Sequence, residues 1–216
     1  MSSVPERPES IAERRTLLAG TGSFHRVFDF LCAVVGLVGL SPLFLLIAVA
    51  IKLDDGGPVF FGQDRIGRGF RPFRIWKFRS MVPGADRGGL LTAPADSRLT
   101  PVGSQLRRYK LDELPQLFNV LLGDMQLVGA RPEVERYVQL FLPQYAVLLQ
   151  DRPGITDPAS LAYRHEDQIL SAERMEQQYL QEILPAKLQR SLDYQRRRSF
   201  LSDLGILLRT VAGLLT

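Results

Sequence analysis

From Phe30 to Ile51 the chain carries 22 consecutive residues without a charge. A straight crossing of a bilayer's hydrocarbon core takes about 20. The run starts too late for a secretion signal, and Ala50-Ile51-Lys52-Leu53 supplies no small-x-small cleavage site at its end, so it reads as a retained anchor. Ser41-Pro42 lies at its middle. Proline lacks an N–H, and its ring clashes with the carbonyl four residues back, so a kink or break is expected there. The Ser41 hydroxyl is placed to bond a freed carbonyl. Arg14, Arg15 and Arg26 precede the run, and Lys52, Arg65, Arg68, Arg71, Arg74, Lys77 and Arg79 follow it. Positive charge on both flanks draws both ends to the cytoplasm, although Glu6, Glu9, Glu13 and Asp29 dilute the first flank. On pattern alone, a kinked single pass and a helix that enters and leaves by one leaflet both remain open.

Elsewhere the pattern is that of a globule. Residues 1–22 are polar and read as a flexible tail. Gly56-Gly57-Pro58 marks a turn. Val59-Phe60-Phe61 and Phe73–Phe78 read as two short strands joined at Gly67-Arg68-Gly69. In the second, Phe73, Ile75 and Lys77 alternate with Arg74, Trp76 and Phe78. Residues 82–102 read as a long loop, the kind that is more often functional than not. Leu114–Leu122 predicts a helix with Leu114, Leu117, Phe118, Leu121 and Leu122 on one stripe, stopped by Gly123. Glu133–Leu149 and Ser171–Arg198 are further helical stretches. Phe200–Leu215 is amphipathic, with Phe200, Leu204, Leu207, Leu208, Val211 and Leu215 on one face. It suits either a helix packed on the core or one lying on a membrane surface. The sum is an α+β chain, mostly helical with one small antiparallel β element.

Composition narrows the chemistry. The 216 residues hold one ordinary domain plus a small appendage. A 45% hydrophobic and 23% charged content excludes disorder of the whole chain. The net charge of +4 points weakly to an anionic partner. Cys32 is the only cysteine, which excludes an internal disulfide framework and a Cys-rich zinc site. His25 and His165 are too few for a three-histidine metal site.

The densest polar cluster is Arg107-Arg108-Tyr109-Lys110-Leu111-Asp112-Glu113-Leu114-Pro115-Gln116. One reading makes Asp112 an N-cap and Glu113 a first-turn acid, both favourable at a helix start. The other makes the helix start and its arginines a phosphate site. Asp112 would then be a carboxylate nucleophile, with a divalent cation screening it from the phosphate it attacks. Lys77-Phe78-Arg79-Ser80-Met81, Arg131-Pro132 and Arg152-Pro153-Gly154 supply further cations that would converge there. The basic residues neither interleave with exposed aromatics nor match a groove-reading motif, so nucleic acid ranks last among partners.

An ordered series of motifs carries a resemblance. It runs Lys52-Leu53 with Gly56-Gly57-Pro58-Val59-Phe60-Phe61 and Gln63, Arg65 and Gly67, then Lys77-Phe78-Arg79-Ser80-Met81 and Asp96-x-Arg98-x-Thr100-x-x-Gly103. It continues through Leu106-Arg107-Arg108, Leu111–Leu117, Asn119-Val120-Leu121, Gly123-Asp124-Met125, Leu127-Val128-Gly129, Arg131-Pro132 and Pro153-Gly154-Ile155-Thr156. Over roughly residues 24–216 the chain resembles the bacterial sugar transferases known as monotopic phosphoglycosyl transferases. The resemblance implies transfer of a sugar-1-phosphate from a UDP-sugar to undecaprenyl phosphate with release of UMP. That is the first membrane step of a surface glycan such as an exopolysaccharide. It also implies Mg²⁺ and a ping-pong route.

Matched residue by residue, Asp112 is the implied nucleophile and Glu113 its partner at the metal. Lys77, Arg107 and Arg131 match phosphate- or substrate-binding positions, and Arg152 is a further candidate. Ser41-Pro42 matches the helix-breaking pair, which implies a re-entrant helix over 23–52. Residues 53–198 would form a catalytic domain on the cytoplasmic face of the inner membrane, and 199–216 an interfacial helix among membrane lipids, with both chain ends cytoplasmic. Without the multi-span N-terminal bundle of larger members, the chain resembles the minimal form. Ala130 stands where the family usually has Pro, and Asp157-Pro158 where Gly and then Ala-Gln or similar usually follow. These departures motivate the alternative of a catalytically inactive membrane-bound scaffold for glycan assembly. Neither the sugar nor the oligomeric state is written in the motifs.

Overall fold

The computed structural model describes residues 23–85, 91–92, 96–164 and 174–215. The expected tail, residues 1–22, lies outside them, as do the start of the predicted 171–198 helix and parts of the 82–102 loop. The segment expected to be an anchor is two helices, α1 (Ser23–Gly39) and α2 (Ser41–Asp55), bent by 59° at Leu40. The Ser41 Oγ donates to Val38 O at 2.7 Å, as the freed-carbonyl argument expects, and Pro42 sits in the first turn of α2. The helix runs three residues beyond the predicted Lys52 and stops at Gly56, whose φ of 73° closes it on the Lys52 carbonyl. Among the described residues no single helix is long and apolar enough to cross a membrane; the bent pair together has that length and apolar composition. Ala33, Ile47 and Ile51 pack inward, while Val35, Val38, Leu45, Leu46 and Leu53 are each more than two-thirds exposed. An apolar face of that size marks an interaction surface.

The antiparallel element is β1 (Phe60–Ile66) with β2 (Pro72–Phe78), in register from Phe60↔Phe78 to Ile66↔Pro72. Both strands outrun the apolar segments that announced them. The pairing extends through Gly62, Gln63, Asp64 and Arg65, and the side chains of Gln63, Asp64 and Arg65 reach solvent or polar partners. Both faces of β2 end up covered. Ile75 packs into a cluster with Val120, Met125, Leu127 and Val128, and Phe78 into another with Ile47, Ile51 and Leu106.

Past β2, α3 (Pro101–Arg108) is capped by Thr100, whose side chain accepts from Gly103 N. A 3₁₀ turn (Leu111–Glu113) then leads to α4 (Gln116–Leu122). A second β pair was not anticipated. β3 (Gln126–Val128) and β4 (Gly154–Thr156) lie parallel, three residues each, too short to carry a periodic signature. Their approach needs glycine, because a Cβ on Gly154 would sit 2.1 Å from Gly129 N.

Prolines divide the long helical stretches. Pro143 starts α6 (Leu142–Leu148) after α5 (Glu135–Leu140) has ended at Phe141. α7 (Pro158–Ala162) follows β4. Next, α8 (Met175–Gln178) passes through one π turn (Tyr179–Ile183) into α9 (Leu184–Arg197), with Pro185 in its first turn. Tyr137, Val138, Tyr145, Tyr179, Ile183 and Leu184 form the main core between these helices. Asp157 serves the fold, since it is 1% exposed, caps α7 through Ser160 N and accepts from Ser191 Oγ of α9.

α10 (Phe200–Leu215) differs from the single stripe predicted for it. Ile206 and Leu207 pack inward with Asp203, which Arg198 and Tyr194 hold, while Leu201, Leu208 and Val211 face out. The helix is therefore apolar on two sides, one packed on the core and one exposed. Its Phe200 meets Phe24 and Phe28 edge-on, which joins the two ends of the described chain.

Two side chains fix α4. Asn119, fully buried, accepts from Trp76 N at 3.0 Å and donates to Arg74 O at 2.7 Å, standing in for a missing strand on the edge of β2. Arg26 of α1 donates to Val120 O and Leu121 O at the other end of the helix. Asn119→Ala leaves both β2 groups buried and unpaired, at about 1–3 kcal/mol for each group. The expected cost is about 3 kcal/mol, or a melting temperature lower by roughly 6–12 °C, readable by calorimetry in detergent.

Candidate active site

Lys110 adopts a left-handed conformation (φ 55°), rare for a residue with a Cβ, and delivers the chain from α3 into the 3₁₀ turn. The turn sends its two adjacent carboxylates in different directions. Glu113 points to β2 and to the loop after β3. Lys77 Nζ donates to its Oε1 at 2.9 Å, and Arg131 forks onto both oxygens, reaching Oε2 at 3.0 Å. Burial alone would raise the Glu113 proton affinity, but the Arg131 and Lys77 charges and their hydrogen bonds outweigh it and hold the carboxyl well below its usual range. Lys77 is in turn pushed down by burial, with Glu113 opposing.

Asp112 has the opposite surroundings. It is 3% exposed, its Oδ1 accepts no hydrogen bond, and it does not cap α4. The expected N-cap geometry is absent because the dyad lies one turn before the helix, whose cap position is Pro115. Burial, then the charge of Glu113, raises the Asp112 proton affinity, and Lys77, Arg107 and Lys110 oppose them. A buried carboxylate without a partner is costly unless something else occupies the site.

Arg107 comes off the last turn of α3. Its Nε donates to Ser80 Oγ at 2.9 Å and its Nη1 to Thr92 Oγ1 at 2.5 Å. Gly103 makes this possible, since a Cβ there would lie 2.0 Å from the Ser80 carbonyl oxygen. The loop that carries Thr92 is drawn together by Arg98, which donates to Leu91 O, Ala85 O and the Asp96 carboxylate. Thus Lys77, Arg107, Arg131, Asp112 and Glu113 are brought together from separate segments of the chain. Arg152 is placed elsewhere: its Nε donates to Gly123 O at 2.7 Å and closes the end of α4.

Two residues near the dyad were not singled out from sequence. Lys110 was quoted only as part of a basic run, yet its charge acts on Asp112. Gln116 lies in the quoted Leu114-Pro115-Gln116 segment and reads there as a polar residue of a helix start. In the structure it is fully buried, and neither atom of its carboxamide has a hydrogen-bond partner.

The model of the family described as bacterial sugar transferase matches residues 21–216. The chain therefore belongs to the bacterial sugar transferase family. It is 46% identical over 142 residues to a UDP-N-acetylgalactosamine-undecaprenyl-phosphate N-acetylgalactosaminephosphotransferase of Aeromonas hydrophila, covering 64% of this chain and 34% of that protein. It is 39% identical over 196 residues to a UDP-glucose:undecaprenyl-phosphate glucose-1-phosphate transferase of Caulobacter vibrioides, covering 88% and 69%. It is likewise 39% identical over 161 residues to the exopolysaccharide production protein ExoY of Sinorhizobium fredii, covering 67% and 71%. The chain thus spans about a third of the Aeromonas relative and about seven-tenths of the other two.

The Glu113 clamp has a pH signature. A carboxyl whose proton affinity is lower in the folded state contributes stability above its unfolded pKa, and that stability is lost as pH falls through the folded value. Glu113→Gln is expected to cost roughly 3 kcal/mol at neutral pH, because it leaves two enclosed cations without their anion. The difference in unfolding free energy between wild type and Glu113→Gln should shrink on acidification below about pH 4.5. Urea titrations across that range would measure it.

Proposed function

We propose that this chain transfers a sugar-1-phosphate from a UDP-sugar to undecaprenyl phosphate, with release of UMP, through a covalent phosphosugar ester on Asp112. The single observation that carries the reading is a buried carboxylate with an unpaired oxygen, set among Lys77, Arg107, Lys110 and the Arg131–Glu113 pair. Family membership and the substrates in the relatives' names support it.

In the first displacement an Asp112 oxygen attacks the phosphorus that bears the sugar. The new carboxyl–phosphoryl bond forms as the bridging P–O bond of the diphosphate breaks, and UMP leaves with the electron pair. In the second, the terminal oxygen of undecaprenyl phosphate attacks the same phosphorus, and Asp112 departs as a carboxylate. One site thereby serves a soluble donor and then a lipid acceptor. Arg107, Lys77 and Arg131 lower the cost of bringing an anionic nucleophile to an anionic diphosphate. Glu113 holds Lys77 and Arg131 in place beside Asp112.

Mg²⁺ fits the donors present: it commonly takes one or two carboxylates and completes its shell with water and substrate phosphate oxygens. The unpaired Asp112 Oδ1 is available to it, while Glu113, engaged by Lys77 and Arg131, reaches it only by giving up a partner. The ion's contribution would be to neutralise charge developing on the diphosphate and the departing UMP.

The apolar outer faces of α1, α2 and α10 support a protein seated in one leaflet on the cytoplasmic side, with the hairpin bent back at Ser41-Pro42. The lipid acceptor carries its phosphate at that surface, within reach of a site held there.

Asp112→Asn should abolish UMP release, by at least about a thousandfold, while the protein still folds and sediments with membranes. Mass spectrometry of wild type incubated with donor alone should find a phosphosugar adduct on the tryptic peptide that contains Asp112. Retained turnover in Asp112→Asn would remove it as nucleophile, and silence of wild type across a nucleotide-sugar panel would favour the scaffold. Topology has a separate readout: tags at residue 1 and after Thr216 should both be protected from an impermeant reagent applied to intact spheroplasts. A labelled N-terminus would restore the single-pass reading.

A further inference from the structure

Arg107 is held differently from the arginines around it. Arg131 forks onto Glu113, Arg98 bonds Asp96, and Arg79, next to Ser80 in the chain, bonds Asp55. Each of those charges is cancelled where it sits. Among the described residues, Arg107 is seated on neutral groups alone. Its Nε donates to Ser80 Oγ at 2.9 Å, its Nη1 to Thr92 Oγ1 at 2.5 Å, and its Nη2 meets the Met81 sulfur at 3.9 Å. A thioether is a weak acceptor, so Nη2 keeps donors for a stronger one.

The two hydroxyls come from backbone that is itself tied down. Ser80 is buried, and its carbonyl accepts from Thr100 N at 3.1 Å while packing closely on Gly103. Thr92 follows Leu91, whose carbonyl accepts from Arg98 Nη2 at 2.7 Å, and the same guanidinium reaches Ala85 O at 3.1 Å. A carboxylate in either place would bind the guanidinium roughly twice as strongly as a hydroxyl does. It would also cancel the charge. A hydroxyl fixes the direction of the guanidinium and leaves its charge whole. That charge already acts on Asp112, whose proton affinity it lowers. A partly buried cation without a counter-ion is costly in the empty site, and an arriving anion recovers the cost.

We propose that Ser80 and Thr92 are positioning residues of the donor site: their neutral hydroxyls aim Arg107 without neutralising it, which keeps its charge and its loosely engaged Nη2 for the donor's diphosphate. This rests on the reading of Arg107 as a phosphate ligand and names the side chains through which the fold holds it ready.

The deciding measurement is calorimetric binding of UDP, with Mg²⁺, to the full chain in detergent. Thr92→Asn and Thr92→Asp have nearly the same shape, and both offer Arg107 an oxygen; only the second brings a charge. Thr92→Asn is expected to stay within about threefold of wild type, and Thr92→Asp to bind UDP at least about tenfold more weakly than Thr92→Asn, with a flatter dependence on salt. A loss of stability common to both variants leaves their ratio unmoved. Thr92→Val and Ser80→Ala, which remove one hydroxyl each, should weaken UDP by about threefold to tenfold, and Thr92→Ser should restore wild-type binding. Affinity in Thr92→Asp equal to or tighter than in Thr92→Asn overturns the proposal, because a purely structural seat is served at least as well by the stronger acceptor. Wild-type affinity in Thr92→Val or in Ser80→Ala overturns it for that residue. Arg107→Gln separates the two levels: if it loses UDP while the hydroxyl variants keep it, only the seat is misassigned. If Arg107→Gln retains full affinity, or wild type binds no UDP, the underlying reading of the donor site fails as well.

Discussion

Two adjacent carboxylates in a low-dielectric interior repel each other and forgo hydration, and the rest of this fold is arranged around tolerating that. The solution is asymmetric. Glu113 is over-compensated, with a lysine from β2 and an arginine from the loop after β3 on its two oxygens. Asp112 is under-compensated, buried with an oxygen that nothing engages. The first acid is thereby a fixed counter-ion, and the second keeps an open valence. Neighbouring residues of one chemical type thus acquire opposite proton affinities through their partners alone.

That asymmetry needs segments distant in sequence to meet with little tolerance. Asn119 ties α4 to β2 and so sets how Lys77 lies against Glu113. Arg65 and Tyr179 do a similar service for Glu133, which sits two residues past Arg131 and anchors that loop to the main core. On the other flank, the contact of Gly103 with Ser80 brings α3 close enough for Arg107 to reach across. Each is a polar or steric contact between elements whose own periodicity says nothing about it.

Sequence legibility follows the same division. The bend between α1 and α2 was readable because Pro42 and a charge-free run act locally, and the β1–β2 pair because aromatic runs flank a glycine turn. The parallel β3–β4 pair was not, since three residues cannot display alternation. Asp157 stood out as a departure from a familiar pattern, and its work in capping α7 and holding Ser191 emerges only when α9 is in view. In the site, Asp112, Glu113, Lys77, Arg107 and Arg131 were legible through ordered motifs, whereas local pattern also allowed Asp112 to be a helix cap. Arg152 was drawn in by charge alone, and charge does not say which way a guanidinium turns. Gln116 was passed over because a glutamine in a helix's first turn is ordinary until its burial is known.

The Arg26 contact gives the hairpin a mechanical meaning. Its guanidinium grips the tail of α4 at Val120 and Leu121, and the reactive turn sits at the head of the same helix. α4 has seven residues, about 10 Å, and so behaves as a short stiff strut. For a hairpin seated in lipid, that strut fixes the height of the Asp112 oxygen above the hydrocarbon boundary. On the proposed membrane seating, bilayer thickness and headgroup packing would then act on the reaction geometry through α4.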